Sequence, residues 1–216
     1  MKTLAAILRA LALTQPDKTA VVDQDGHRRT SYRQLDEMGA RVARLLIDSG
    51  VGKNDIIPVL LPRDVRYVAA MAGVFKAGAA CAPLDPAYPA ERIGYIKKDC
   101  GCPLAIDEDF MSRALCLAPE ERGADPAASD RALVTYTSGS TGRPKGVVQS
   151  WTGLMRQLSN TPSRRSPRPS ASNSAKSRNP CGSHSPVRPS VRASSKSSMC
   201  SEKRRFSNDF AGAWTI

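Results

Sequence analysis

The sequence predicts an α/β fold built on a parallel, doubly wound sheet. Short apolar, β-branched runs alternate with stretches of helical period from Thr19 to Ile106. That is the rhythm of strands joined by crossover helices. Small residues gather in the helical stretch before the run at 80–84: Ala69, Ala70, Ala72, Gly73 and Ala77 suit a helix lying close on a sheet. Then a turn of glycines and hydroxyl side chains, closed by a lysine, follows an apolar run, Ala132-Leu133-Val134, that reads as a buried strand.

Taken in order, the N-terminus places Leu4, Ile7, Leu8 and Leu11 on one helical face. Arg9 interrupts the apolar patch, so an amphipathic helix is expected rather than an export signal. Thr19-Ala20-Val21-Val22 reads as a strand and Asp25-Gly26 as a hairpin turn, with His27 solvated beside it. Ser31 and Gln34 form a capping box for a helix that carries Tyr32, Leu35, Met38, Val42, Leu45 and Leu46 to Gly50. Gly50-Val51-Gly52-Lys53 follows a helix rather than a strand, so it is expected to be a helix-ending turn. Ile56–Leu61 is a strand, and Pro58 within it argues for an edge position or a bulge. Asp64 caps the next helix, with Val65, Val68, Met71, Ala72 and Phe75 as its apolar face and Gly78 at its end. Ala80–Leu84 returns as a strand. Pro89 starts a short helix through Ile93 and Ile96 to Gly101, and Leu104-Ala105-Ile106 is expected as a further strand. Asp107-Glu108-Asp109 reads as an exposed loop, because three adjacent carboxylates diverge and repel.

The loop from Thr135 to Gly146 has the parts of a polyphosphate site. Glycines let the backbone turn sharply and approach a ligand, and successive N–H groups in such a turn make an anion nest. Thr135, Thr137, Ser138, Ser140 and Thr141 supply hydroxyls, and Lys145 a mobile positive charge. The P-loop places its lysine directly after a glycine, whereas here Lys145 follows Pro144 and precedes Gly146. Thr137-Ser138-Gly139-Ser140-Thr141-Gly142-Arg143-Pro144-Lys145-Gly146 instead resembles the phosphate loop of the adenylate-forming enzymes, [ST]-S-G-[ST]-T-G-x-P-K-G. That superfamily holds acyl-CoA synthetases, luciferases and the adenylation domains of nonribosomal peptide synthetases. A second stretch, from Phe75-Lys76-Ala77-Gly78 through Pro83-Leu84-Asp85-Pro86 to Glu91-Arg92-Ile93, resembles the amino-acid adenylation branch, with Phe75 and Cys81 as variants.

The resemblance covers residues 1 to about 158. It implies the N-terminal part of the large adenylating domain, an incomplete α/β sheet. The reaction it implies is attack of an amino acid or other carboxylic acid on the α-phosphate of ATP, with Mg²⁺ assisting, followed by capture of the acyl-adenylate by phosphopantetheine on a carrier domain. In that scheme Thr137, Ser138, Gly139, Ser140, Thr141 and Gly142 wrap the β- and γ-phosphates, Gly146 closes the loop, and Lys145 is the catalytic cation on the departing pyrophosphate. The family usually has histidine where Trp151 stands. Val147, Val148, Trp151, Leu154 and Leu158 are expected on a helix following the loop. Downstream motifs for the acid, adenine and ribose do not appear after residue 160, so the chain alone is expected to be inactive.

The net charge of +12 is uneven: residues 1–150 carry +2 and residues 151–216 carry +10. From Thr161 the composition turns to Ser, Arg and Pro and apolar periodicity ends, so residues 159–216 are expected to form a disordered basic tail. A nucleic-acid-binding arm, a linker and an out-of-frame continuation are the three readings of it. The last is favoured, because the domain breaks off mid-sheet and no aromatic residue joins the basic ones before Phe206. Six cysteines fit no zinc spacing, so free thiols, no metal site and a reducing, cytoplasmic setting are expected. No apolar run is long enough to span a membrane.

Overall fold

The computed structural model of the chain describes residues 3–23, 26–123, 126–138, 144–160 and 214–215. All of them belong to one of the two units into which the chain divides; the other, residues 165–206, lies outside them. The expectations for the basic tail and for the loop residues Gly139, Ser140, Thr141 and Gly142 therefore fall outside the described residues.

Helix α1 (Leu4–Thr14) is capped by Thr3, whose hydroxyl accepts the Ala6 N–H, and lays Leu4, Leu8 and Leu11 against the core. Strands β1 (Thr19–Val22) and β2 (Arg29–Ser31) form an antiparallel hairpin, with Gly26 at φ +71° in the turn. Helix α2 (Tyr32–Asp48) starts on the expected capping box. The Ser31 hydroxyl accepts the Gln34 N–H, and the Gln34 side chain accepts the Ser31 N–H. Two free N–H groups at the helix start are thereby satisfied, a contribution of about 1 kcal/mol.

Strand β3 (Ile56–Leu60) leads to α3 (Val65–Lys76), capped by the Asp64 carboxylate, and then to β4 (Ala80–Leu84). Helix α4 (Ala90–Cys100) ends at Gly101, φ +69°. Helix α5 (Glu108–Leu115) precedes β5 (Arg131–Ser138), β6 (Pro144–Ser150) and α6 (Trp151–Asn160). A short β7 (Trp214–Thr215) pairs parallel with β1.

The main sheet has the order β3-β4-β5-β6, parallel from β3 to β5 and antiparallel between β5 and β6. Apolar clusters sit on both of its faces, as a doubly wound sheet requires. One joins Ala80, Ala82, Leu84, Val134 and Tyr136 to Ile96 and Cys100 of α4. The other packs Ile57, Val59 and Cys81 with residues of α2, α3, α5 and α6.

Pro58 accounts for the edge position of β3. Its carbonyl accepts the Ile106 N–H on the side away from β4, and the missing proline N–H lies on that same side, where no ladder needs it. The small residues of α3 serve a contact the sequence did not announce. A Cβ on Gly73 would stand 2.3 Å from Val42 Cγ1, and one on Gly39 3.1 Å from Ala72 Cβ, so α2 and α3 cross at near-backbone distance.

Three expectations are corrected. Ile106 makes a single parallel bridge to Val59 and no longer strand forms there. Asp107-Glu108-Asp109 is a helix start, not a loop: the Asp107 carboxylate accepts the Phe110 N–H, and the other two acids occupy the first turn, where the helix dipole favours them. Val147 and Val148 belong to β6, and the helix after the loop begins only at Trp151.

Candidate functional site

The candidate site is the far end of the β5–β6 hairpin. The ladder pairs Tyr136 with Gly146, Thr137 with Lys145 and Ser138 with Pro144, so residues 139–143 connect the two strands. Paired residues share a face of the sheet. Thr137 and Lys145 are both exposed, which places a hydroxyl and an ammonium side by side at the loop's base. Tyr136 is buried on the opposite face. Gly146 has a packing reason to lack a side chain: a Cβ there would lie 3.2 Å from Val134 Cγ1 and from Tyr136 Cζ.

Tyr136 ties the hairpin to α4. Its hydroxyl donates to Asp99 Oδ2 at 2.7 Å and lies 3.6 Å from Cys100 Sγ. Burial, reinforced by the bond to Asp99, holds the phenol well above the ordinary tyrosine range. At the other end of β5 a second anchor forms. Asn54, at φ +67°, accepts the Arg131 N–H on its side-chain oxygen at 2.8 Å and donates from its amide nitrogen to Asp130 at 3.3 Å. Asparagine tolerates the left-handed region better than other side chains do. Asp130 also receives the Ala127 N–H and lies 2.9 Å from Lys53 Nζ, which holds its carboxyl below the ordinary range. The Trp151 N–H donates to the Asp130 carbonyl, so α6 hangs from the same junction.

The structure thus brings Thr137, the Ser138 backbone, Lys145 and Gly146 together at one hairpin end. Gly139, Ser140, Thr141 and Gly142 fall in the connection outside the described residues. Trp151 is not a site residue in this arrangement. Its ring is 1% exposed and meets Phe75 edge-on at 4.9 Å. Sequence reasoning missed Asp99, Tyr136, Asn54 and Asp130. The one available signal was Tyr136 itself: it alternates with buried Ala132 and Val134, so its hydroxyl required a partner.

Hydroxyls, backbone amides and one lysine are donors, and donors fit a polyphosphate. Among the described residues no group of three His, Cys, Asp or Glu side chains is placed to hold a metal ion. The exposed Thr137 hydroxyl and Lys145 ammonium are groups that can donate to phosphate oxygens. No helix among the described residues is long and apolar enough to cross a membrane. Among the described residues Cys81, Cys100, Cys102 and Cys116 are free thiols, and Cys181 and Cys200 lie outside them.

A glycine- and hydroxyl-rich sequence joining two paired strands of an α/β sheet, with a lysine on the returning strand, is the pattern that resembles the adenylate-forming enzymes. The chain belongs to the AMP-binding enzyme family, which matches residues 8–174. It is 39% identical over 159 residues to surfactin synthase subunit 1 of Bacillus subtilis, covering 68% of this chain and 4% of that protein. It is 37% identical over 158 residues to a dimodular nonribosomal peptide synthase of the same organism, covering 63% of this chain and 7% of the other. Among solved structures, the N-terminal subdomain of Klebsiella oxytoca NpsA in complex with 3-hydroxyanthranilyl-AMSN superposes with a TM-score of 0.63 at 25% identity. The inhibitor-bound N-terminal domain of FACL13 from Mycobacterium tuberculosis gives 0.64 at 26%. This chain covers 42% and 45% of those two structures, and they cover 72% and 70% of it. The chain therefore spans less than half of the solved domains and a few per cent of the synthetases it matches.

Proposed function

We propose that this chain is the phosphate-gripping part of an adenylating domain that activates an amino acid or another carboxylic acid as its acyl-adenylate. The observation that carries the reading is the hairpin end, where a strand runs into the loop sequence and Lys145 returns beside Thr137. Thr137, Ser138, Gly139, Ser140, Thr141 and Gly142 would wrap the β- and γ-phosphates of ATP with hydroxyl and amide donors. Gly146 keeps the returning strand flat against Tyr136. Lys145 is the catalytic cation. It would draw charge from the departing pyrophosphate, the kind of electrostatic help that lowers a phosphoryl-transfer barrier. Mg²⁺ would enter with the nucleotide and supply further charge neutralisation on its phosphates.

In the parent enzyme the acid attacks the α-phosphate, and a phosphopantetheine thiol on a carrier domain takes the acyl group. Groups for the acid, adenine and carrier would lie in the larger share of the domain that this chain does not span, so the chain alone would bind without turning over. The test is calorimetric ATP binding to the full chain and to Lys145→Ala, together with ATP–pyrophosphate exchange over a mixture of amino acids. Binding weakened about tenfold by the substitution, a loss near 1.4 kcal/mol, is the expected result. Equal binding by both proteins would remove Lys145 from the site, and clear exchange activity would overturn the inactive-fragment reading.

A further inference from the structure

The end of α4 carries a second chemically capable site. Cys100 is the last residue of the helix, Gly101 turns the chain at φ +69°, and Cys102 follows. Both cysteines line one cleft of about 140 Å³, together with Asn54, Asp55, Ile56, Gly101, Pro103 and Arg131. Cys100 is buried against Tyr136, whereas Cys102 is partly exposed.

Two residues of extended chain reach about 7 Å, and a left-handed turn shortens that span. A disulfide takes Cα positions roughly 4.4–6.8 Å apart, so a turn of this shape fits it. We infer that Cys100-Gly101-Cys102 is a reversible dithiol site that small-molecule disulfides oxidise, and that its oxidation loosens the β5–β6 hairpin. The reaction is thiol–disulfide exchange. The Cys102 thiolate attacks one sulfur of a disulfide such as glutathione disulfide and expels one glutathione thiolate. The Cys100 thiolate then attacks the Cys102 sulfur and expels the second. Two protein thiols become one disulfide, the oxidant becomes two thiols, and both protons pass to the leaving thiolates.

The order of attack follows from the surroundings. Cys102 is outside the helix and within reach of solvent. Burial pushes the Cys100 thiol up despite the opposing Tyr136 contact, and the helix C-terminus and Asp99 also disfavour its anion. Cys100 is thus the resolving thiol. To reach Cys102, its sulfur must leave the Tyr136 hydroxyl. That removes one of the two polar contacts that Tyr136 of β5 makes with α4, two residues from Ser138.

Lys98 and Arg113 bracket a tryptic peptide, residues 99–113, that holds both cysteines and no other. The full chain is equilibrated with mixtures of glutathione and glutathione disulfide, alkylated, digested and weighed. The expected peptide is two hydrogens lighter, resists alkylation at both positions and is restored by dithiothreitol, while Cys102→Ser leaves Cys100 reduced. A peptide still alkylated at both cysteines would overturn the inference. So would a lasting glutathione adduct on Cys102, or a link to Cys81 or Cys116. Hydrogen exchange tests the coupling. Residues 134–138 and 144–148 should exchange several-fold faster after oxidation of the native chain, with no change on treating Cys102→Ser, whose partly exposed side chain makes folding secure. In Tyr136→Phe the faster exchange should be present before oxidation, and unchanged exchange in the oxidised native chain would refute the link to the hairpin. None of these readouts requires nucleotide, so they stand apart from the proposed grip on ATP.

Discussion

Replacing Tyr136 by phenylalanine removes one oxygen and leaves the ring packed on Val134 and Gly146. What is lost is the bond to Asp99 at 2.7 Å and the contact with Cys100 at 3.6 Å. A hydrogen bond to a charged partner contributes about 1.5–3 kcal/mol. Asp99 stands at the exposed end of α4, so water re-solvates its carboxylate once the hydroxyl is gone, and the lower end of that range applies. The expected loss is about 1.5 kcal/mol, seen as a lower urea midpoint at unchanged slope and a fall in Tm of about 3–6 °C. A double-mutant cycle with Asp99→Asn should return about 1 kcal/mol of coupling. The pH dependence adds a second check. The folded pKa of Tyr136 is raised above its ordinary 10.0, so its share of stability is whole below about pH 10 and declines as the pH climbs toward the folded value. The native chain should therefore lose stability more steeply above pH 10 than the phenylalanine variant does. A variant as stable as the parent, with no coupling to Asp99, would refute the role given to this anchor.

Other outcomes follow from the same contacts. Gly73→Ala should destabilise by about 1–2 kcal/mol, because overpacking against Val42 outweighs the helix-propensity gain; adding Val42→Ala should recover part of the loss in thermal melts. Lys76 lies 2.8 Å from Asp36 and 2.9 Å from Glu121 with its side chain 5% exposed, so Lys76→Met should cost about 3–5 kcal/mol by leaving buried acid unpaired. Burial already raises the Asp36 pKa, and without the lysine it should rise further; the loss measured by urea unfolding should then shrink as the pH falls and Asp36 takes up a proton. Lys145→Ala should leave the urea midpoint within about 0.5 kcal/mol of the parent, since the side chain is exposed, so any fall in ATP binding is a loss of contact and not of fold.

The parts of the fold that were legible in the sequence are those whose cause is local. A capping box needs Ser31 and Gln34 and nothing else, and Asp64 satisfies its own helix. Glycines with positive φ at 26, 50, 78 and 101 mark the turns the chain requires. Helix α5 was also locally encoded: Asp107 caps it, and Phe110, Met111 and Ala114 bury one face. Its three adjacent acids read as mutual repulsion, although at a helix start the dipole and the free N–H groups favour them. Strand β6 was hidden for the opposite reason. Val147, Trp151, Leu154 and Leu158 fit a helical period, but pairing with β5 decides the first of them, and pairing is not a local property.

The same distinction applies within the candidate site. The loop's residue types, glycines and hydroxyls followed by a lysine, are what carry the proposed anion grip. What holds the grip in place could not be read, because Asn54, Asp99 and Asp130 come from distant turns and helix ends. Among the described residues β3 pairs with β4 at five positions and β4 with β5 at Cys81 and Leu133. Side chains add to that pairing: the Asn54–Asp130 junction fixes one end of the hairpin, and the bond from Tyr136 to Asp99 of α4 fixes the other. On the reading proposed above, a grip on polyphosphate needs a firm base, and the side-chain anchors at the base of the hairpin supply it.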